Sequence, residues 1–332
     1  MLKTIKLDDV RLWDKIVDSF DDSTVYFTNG YARAVSTITD GEILLFYFEG
    51  KSMKAMNVAC KREIDGTNFY DLCSIAGFCG WITEGENEDD LRLLSVAIEA
   101  YASGEGIVSE FIRCNPQIPS SMYECFGRKR QIGHSVIMDI SNEDDIWTNM
   151  RASNRNCIRK SYNYGVTVSF DVWATEIDEF KRIYNDTMSR KKAYEYIFPD
   201  EYYDELLAIR NADVFLAHAE YNGVIVSSAV FFGKNRRAYY HLSGSDEDYA
   251  FLGSMRAVIY EAACLLSSLG YKTLDLGGGV KSRNDSLLEF KKRFVKHDAT
   301  PFFVLDKIYN IQEYNALCKA DSAGDFFPAY RR

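Results

Sequence analysis

Val214-Phe-Leu-Ala-His-Ala-Glu-Tyr-Asn-Gly-Val-Ile-Val-Ser-Ser-Ala-Val-Phe-Phe232 holds two runs rich in β-branched and aromatic residues around a single Asn-Gly pair. Asn222-Gly223 accepts the positive φ angles of a two-residue hairpin turn, so 214–219 and 224–232 read as antiparallel strands. Gly233-Lys234-Asn235 reads as a second turn, leading to a third strand at 238–242. Downstream, Val258, Ala262, Leu265, Leu266 and Leu269 recur on one face of a helix over 253–269, which Gly270 ends. A strand at 272–276 runs into Gly277-Gly278-Gly279; a helix at 286–294 and a closing strand at 300–305 follow. Upstream lie a strand at 166–171, a helix over 176–191 with Ile177, Phe180, Ile183, Tyr184 and Thr187 on one face, and a helix over 201–210.

The first half repeats this order more loosely. Strands at 43–48 and 53–60 precede a helix over 88–103, closed by Gly104 and Gly106; strands at 107–113 and 135–140 follow. The order of strand meander, glycine-ended helix and strand in both halves reads as a degenerate duplication within an α/β protein. The acidic run 84–90 reads as a solvated helix start, because acids favour the positive N-terminus of a helix.

The chain has 332 residues, of which 47% are hydrophobic, enough for about two domains. A net charge of -10 weighs against a general nucleic-acid binder. No apolar run approaches the roughly 18 residues of a membrane span, and the N-terminus has no apolar signal core, so a cytoplasmic location is expected. The eight cysteines include no Cys-x-x-Cys pair and the four histidines are scattered, so no zinc site is expected. The cysteines read as buried apolar thiols.

Two regions depart from the acidic average. Residues 147–170 contain no Asp or Glu but carry Arg151, Arg155, Arg159 and Lys160. The three arginines, four apart, share one helix face, which an anionic ligand or acids from elsewhere in the fold would stabilise. Residues 281–296 carry six cations against Asp285 and Glu289, a net of +4, with Phe290 and Phe294 positioned to bury and the cations, among them Lys291 and Arg293, pointing outward. A phosphate or carboxylate suits that cluster. The Gly277-Gly278-Gly279 run lacks the spacing of a phosphate-binding loop; it reads equally as a backbone approach for a ligand and as a strand-end turn. No Gly-x-Ser-x-Gly, His-Glu-x-x-His or Cys/His arrangement is present. The chemistry that needs least from side chains is acyl transfer to an amine, which requires positioning, a deprotonated amine and a donor for the oxyanion.

Arg155-Asn-Cys-Ile-Arg-Lys160 with Gly165-Val166, Tyr184-x-x-Thr187-Met188-x-Arg190-Lys191, Tyr239-Tyr-His-Leu-Ser-Gly-Ser245 and Leu274-Asp-Leu-Gly-Gly278 resemble, in that order, the second domain of Fem-type transferases. Phe290-Lys291-Lys292-Arg293-Phe294 is similar to that family's Phe-Lys-x-x-Phe signature. In the first half, Phe69-Tyr-Asp-Leu72, Gly77-Phe78-x-Gly80 and Ser109-Glu-Phe-Ile-Arg113-x-Asn115-Pro116 are similar as well. The resemblance implies two tandem domains of the N-acetyltransferase (GNAT) type, each a mixed, mostly antiparallel sheet with flanking helices: 1–140 plus 305–332, and 141–304.

What the resemblance implies for function is a peptidoglycan-bridge type N-acyltransferase, moving an acyl or aminoacyl group onto an amine of a cell-wall or glycan precursor held between the domains. The co-substrate is aminoacyl-tRNA, met at its acceptor end, or acyl-CoA; no cofactor is tightly bound. Lys291 matches the family lysine at the reaction centre, with Tyr240 and Asp275 as residues for deprotonation or orientation. Arg155 or Arg159, with Lys160 and Arg293 nearby, would hold the precursor's anionic groups. Arg33 stands near the place of a family lysine after the N-terminal aromatic, Tyr31; Asn115, beside Arg113, replaces a family Asp. Asp246-Glu247-Asp248 ahead of the 253–269 helix would repel a diphosphate, which weighs against CoA. The alternatives are an acyl-CoA-dependent acetyltransferase acting on an amino sugar and a non-catalytic binder of glycans or nucleotide-sugars.

Overall fold

The computed structural model describes residues 1–118, 126–318 and 326–332, so Cys125 lies outside the described residues. The chain forms two compact units, Met1–Ile132 with Phe302–Arg332, and Gly133–Pro301. The first contains β1 (Leu2–Lys6), α1 (Val10–Val17), α2 (Asn29–Ser36), β2 (Glu42–Glu49), β3 (Lys54–Glu63), β4 (Tyr70–Ser74), β5 (Ile82–Glu84), α3 (Glu88–Gly104) and β6 (Ile107–Arg113). β7 (Arg128–Ser135) leads out of it. The second contains β8 (Ile137–Asp139), α4 (Glu143–Asn149), α5 (Ala152–Asn163), β9 (Thr167–Asp171), α6 (Ile177–Arg190), α7 (Asp200–Leu207), β10 (Asp213–Tyr221), β11 (Val224–Lys234), β12 (Arg237–Ser245), α8 (Met255–Ser268), β13 (Thr273–Asp275) and α9 (Ser286–Lys291). The chain then returns to the first unit through β14 (Thr300–Ile308) and α10 (Ile311–Leu317).

The first sheet runs β1-β2-β3-β4-β6-β14-β7 with β5 beside β3, and the second runs β8-β13-β12-β11-β10-β9. The repeated order is present in both: a three-strand antiparallel meander, a helix, and a strand that pairs parallel to the last meander strand, as β4 with β6 and β12 with β13. Strand pairing moves the expected boundaries. The strand expected at 135–140 in the first domain instead supplies β8, which pairs with β13 through Leu274↔Met138. The strand expected at 300–305 in the second domain instead supplies β14, which pairs with β6 through Leu305↔Ile112. The divisions therefore fall at 132/133 and 301/302 rather than 140/141 and 304/305.

The second hairpin also turns later than expected. Asn235 and Arg236 hold φ of 48° and 65°, the two positive angles such a turn requires. Gly233 is a strand residue, and a Cβ there would lie 2.3 Å from the Tyr271 hydroxyl. In α8, Val258, Ala262 and Leu266 bury against Ala217, Ala229 and Phe231 of the meander. Burying a side chain such as Leu266 contributes about 1.5–3 kcal/mol. Leu269, read onto the same face, is instead the exposed C-cap.

Candidate active site

The parallel pairing of β12 and β13 lasts only from Arg237↔Thr273 to Tyr239↔Asp275. β12 continues to Ser245, whereas the other chain leaves through Leu276 into the glycine run, where Gly277 has φ of +75°. The strands therefore part between Tyr240 and Leu276. A bulge at the same point re-aims side chains: Phe231 pairs with Tyr240 and Val230 with Leu242, leaving His241 as the extra residue. Residues three apart on a regular strand face opposite sides, but the extra residue brings Tyr240 and Ser243 to one face. The Tyr240 hydroxyl accordingly donates to Ser243 Oγ at 2.5 Å. Burial pushes this phenol up to about 12, with the Ser243 contact opposing.

Lys291 enters the gap from α9. Asp285 caps that helix, accepting from the Leu288 N–H at 2.9 Å. Leu288 and Lys291, one turn apart, then share its buried face. Lys291 is 8% exposed and its Nζ donates to the Gly278 carbonyl at 2.8 Å. Its ammonium lies 6.0 Å from the centre of the Tyr240 ring. Burial pulls the amine down to about 8, against the opposing attraction of Asp275 and Asp285. The glycine run is needed here. A Cβ on Gly277 would lie 3.2 Å from Lys291 Nζ, and one on Gly278 would lie 2.4 Å from the His134 carbonyl.

Asp275, at the last paired position of β13, is 1% exposed. Its Oδ1 accepts from Ser135 Oγ at 2.5 Å and from the Gly277 N–H at 2.7 Å. Its Oδ2 is buried without a hydrogen-bond partner. Burial pushes the carboxyl up to about 6, with Ser135, the Gly277 N–H and Lys291 opposing. A carboxyl and an amine displaced toward each other are suited to exchanging protons near neutrality.

Beside Tyr240 lies a cavity of about 300 Å³, bounded among others by Thr187, Lys191, Ser243, Ser254, Arg256 and Phe290. Arg256 was not anticipated. It lies in the first turn of α8, which contains no acid, and its guanidinium sits 4.8 Å over the Phe290 ring. Its Nε is buried without a hydrogen-bond partner. A cation in a first turn, where acids are favoured, is the sequence signal that marks it. The acids at 246–248 are less repulsive than expected: Glu247 pairs with Arg190 at 3.0 Å, and Asp246 caps the Asp248 N–H at 3.1 Å.

The arginine stripe of α5 is satisfied without an anion. Arg155 donates to the carbonyls of Met150 and Thr148, closing the end of α4. Arg159 stacks 5.0 Å over Trp147 and donates to Asn156 Oδ1 at 3.1 Å. Lys160 lies 5.4 Å over Tyr164. Arg293 is exposed just beyond α9, and its electrostatic influence reaches Arg256. The remaining expected residues belong to the first unit. Arg33 is in the last turn of α2, and Arg113 ends β6 with its guanidinium 5.5 Å over Phe302. Asn115 is buried and shapes the turn after β6, its Oδ1 accepting from the Gln117 N–H at 2.9 Å. Among the described residues there is no group of three or more His, Cys, Asp or Glu able to hold a metal, and no helix long and apolar enough to cross a membrane.

A helix-flanked sheet whose parallel central strands part beside a cavity is the GNAT architecture, and residues 148–292 match the acetyltransferase (GNAT) domain family. The protein thus consists of two GNAT-like domains in tandem. The crystal structure of FemX superposes with a TM-score of 0.70 at 14% identity, over 95% of this chain and 99% of that one. A conserved protein of unknown function from Bacteroides thetaiotaomicron superposes at 0.62 and 12% identity, over 92% and 99%. At these identities the likeness is one of fold, that of two GNAT-like domains in tandem. No curated protein matches the sequence.

Proposed function

We propose that the protein is an N-acyltransferase that moves an acyl or aminoacyl group onto an amine of a cell-wall or glycan precursor. The observation that carries this reading is the parting of β12 and β13 beside Tyr240, Lys291 and Asp275. The donor's carbonyl lies in the gap, and the acceptor nitrogen attacks its carbon. The Lys291 ammonium stabilises the negative charge that develops on the acyl oxygen; an interaction of this kind contributes roughly 10²–10³ in rate. Asp275, ionised above about 6, receives the proton lost by the nitrogen. Tyr240, fixed by Ser243, orients the carbonyl. The donor's thiolate or ribose oxygen leaves as the tetrahedral intermediate collapses.

Arg256 and the acid-free start of α8 favour a donor bearing a diphosphate, which supports acyl-CoA. The Fem-type resemblance of the sequence supports aminoacyl-tRNA and a peptidoglycan-precursor acceptor. The test is to incubate the protein with acetyl-CoA or aminoacyl-tRNA and with UDP-linked muramyl peptides or amino sugars, and to weigh the products. An acceptor heavier by the acyl group, with its amine blocked, is the expected result. Absence of that product with both donors, where the protein still binds an acceptor, overturns the reading in favour of a binding protein.

A further inference from the structure

In the first unit, Cys60 of β3 and Cys73 of β4 are direct partners across an antiparallel pair. Their register fixes the geometry. The Ile64 N–H bonds the Phe69 carbonyl at 3.0 Å, and stepping two residues along each strand, twice, arrives at Cys60 and Cys73. They therefore occupy a hydrogen-bonded position of the ladder, where Cα atoms stand about 5.5 Å apart. Disulfides span roughly 4.4–6.8 Å between Cα atoms, so the Cα separation of this pair lies within the bonding range.

Directly opposite residues share a face, and Arg62 and Asp71, also opposite each other, lie on the same one. Arg62 Nε meets Asp71 at 2.8 Å and Arg331 Nε meets it at 2.7 Å. The Cys73 thiol is held below its ordinary value by the hydrogen bond from Cys60, then by Arg62 and Arg331, against burial and Asp71. Cys60 is fully buried and Cys73 half-buried. A cavity of about 870 Å³ is bounded by Gly41, Arg62, Tyr70 and Arg331, so it reaches the two arginines that flank Asp71. A Cβ on Gly41 would lie only 2.7 Å from Cys60 Sγ, so the glycine leaves that sulfur close to the cavity.

We propose that Cys60 and Cys73 form a reversible oxidation site, closed by peroxide into a disulfide between β3 and β4. The Cys73 thiolate attacks one peroxide oxygen, giving a sulfenic acid and releasing the other oxygen as water after protonation. The Cys60 sulfur then attacks the Cys73 sulfur, and the hydroxide expelled carries away the Cys60 proton as a second water. Two thiols and one peroxide become one disulfide and two waters, and an external dithiol reverses the step.

The full chain is treated with hydrogen peroxide, alkylated, and digested without reductant. The expected product is the Cys60 peptide joined to the Cys73 peptide, about 2 Da lighter than their sum and separated again by dithiothreitol. Cys60→Ser leaves Cys73 as a sulfenic acid that dimedone traps, with no cross-link. Wild-type protein in which both cysteines are alkylated after peroxide, or in which Cys73 is oxidised while Cys60 is still alkylated, overturns the proposal; neither result depends on the variant folding.

Discussion

In the first unit the parallel strands pair from Tyr70↔Ile107 to Cys73↔Phe111, and Ser74 Oγ then accepts the Arg113 N–H at 2.9 Å, sealing the end. In the second, the corresponding pair stops at Tyr239↔Asp275 and a cavity opens beside β12. The preceding helices differ in the same sense. α3 begins with Glu88, Asp89 and Asp90, and Asp90 accepts the N–H groups of Lys51 and Ser52 at 3.0 and 2.7 Å. α8 begins without an acid and carries Arg256. Each unit buries an acid on the strand after its helix. Glu110 has both oxygens occupied, by Asn57 at 3.2 Å and Tyr309 at 2.6 Å, whereas Asp275 leaves one without a partner. One framework, used twice, is closed upon itself in one copy and left open beside a cavity in the other.

The largest expected effect breaks the open copy. Lys291→Ala lowers acyl-transfer kcat by roughly 10²–10³, about 3–4 kcal/mol of barrier. Wild-type turnover rises with pH through about 6 as Asp275 ionises and falls above about 8 as Lys291 loses its proton. A profile without the upper limb, or an undiminished Lys291→Ala enzyme, removes the lysine from the chemistry. Next, Asp71→Ala in the closed copy leaves Arg62 and Arg331 unpaired and lowers unfolding free energy by about 2 kcal/mol, less than for a fully buried pair because both arginines reach solvent. Denaturant melts measure it, while turnover per folded molecule stays unchanged.

A smaller effect comes from Glu110, which burial pushes up to about 7 from an ordinary 4.5. The fold binds its proton more tightly than the unfolded chain does. The stability it contributes is therefore complete below about 4.5 and is lost as pH rises through about 7. Glu110→Gln flattens the pH dependence of stability across that window, read from melts. The smallest is Tyr240→Phe, which releases Ser243 and lowers kcat by up to about tenfold, roughly 1.4 kcal/mol, with stability little altered.

Much of the second unit was legible because its elements declare themselves locally. The Asn222-Gly223 turn, the apolar face of α8 and the glycine after it fix their own conformation. The membership of β8 and β14 was not legible, since a strand's partner is set by distant residues and either half could have accepted each. The gap at Tyr240 coincides with the bulge at His241, which leaves no periodic trace. Lys291 and Asp275 were named from motif resemblance and lie beside the gap. The α5 arginines were read from charge spacing alone, and their real partners, backbone carbonyls and Trp147, are groups that spacing cannot reveal.

The placement of β14 has a consequence for biosynthesis. Residues 133–301 form an uninterrupted unit, whereas the first unit needs a strand that is translated after all of them. On the ribosome, then, the open copy can complete its sheet while the sealed one still waits with the β6 edge uncovered. The half synthesised first is the half that finishes last.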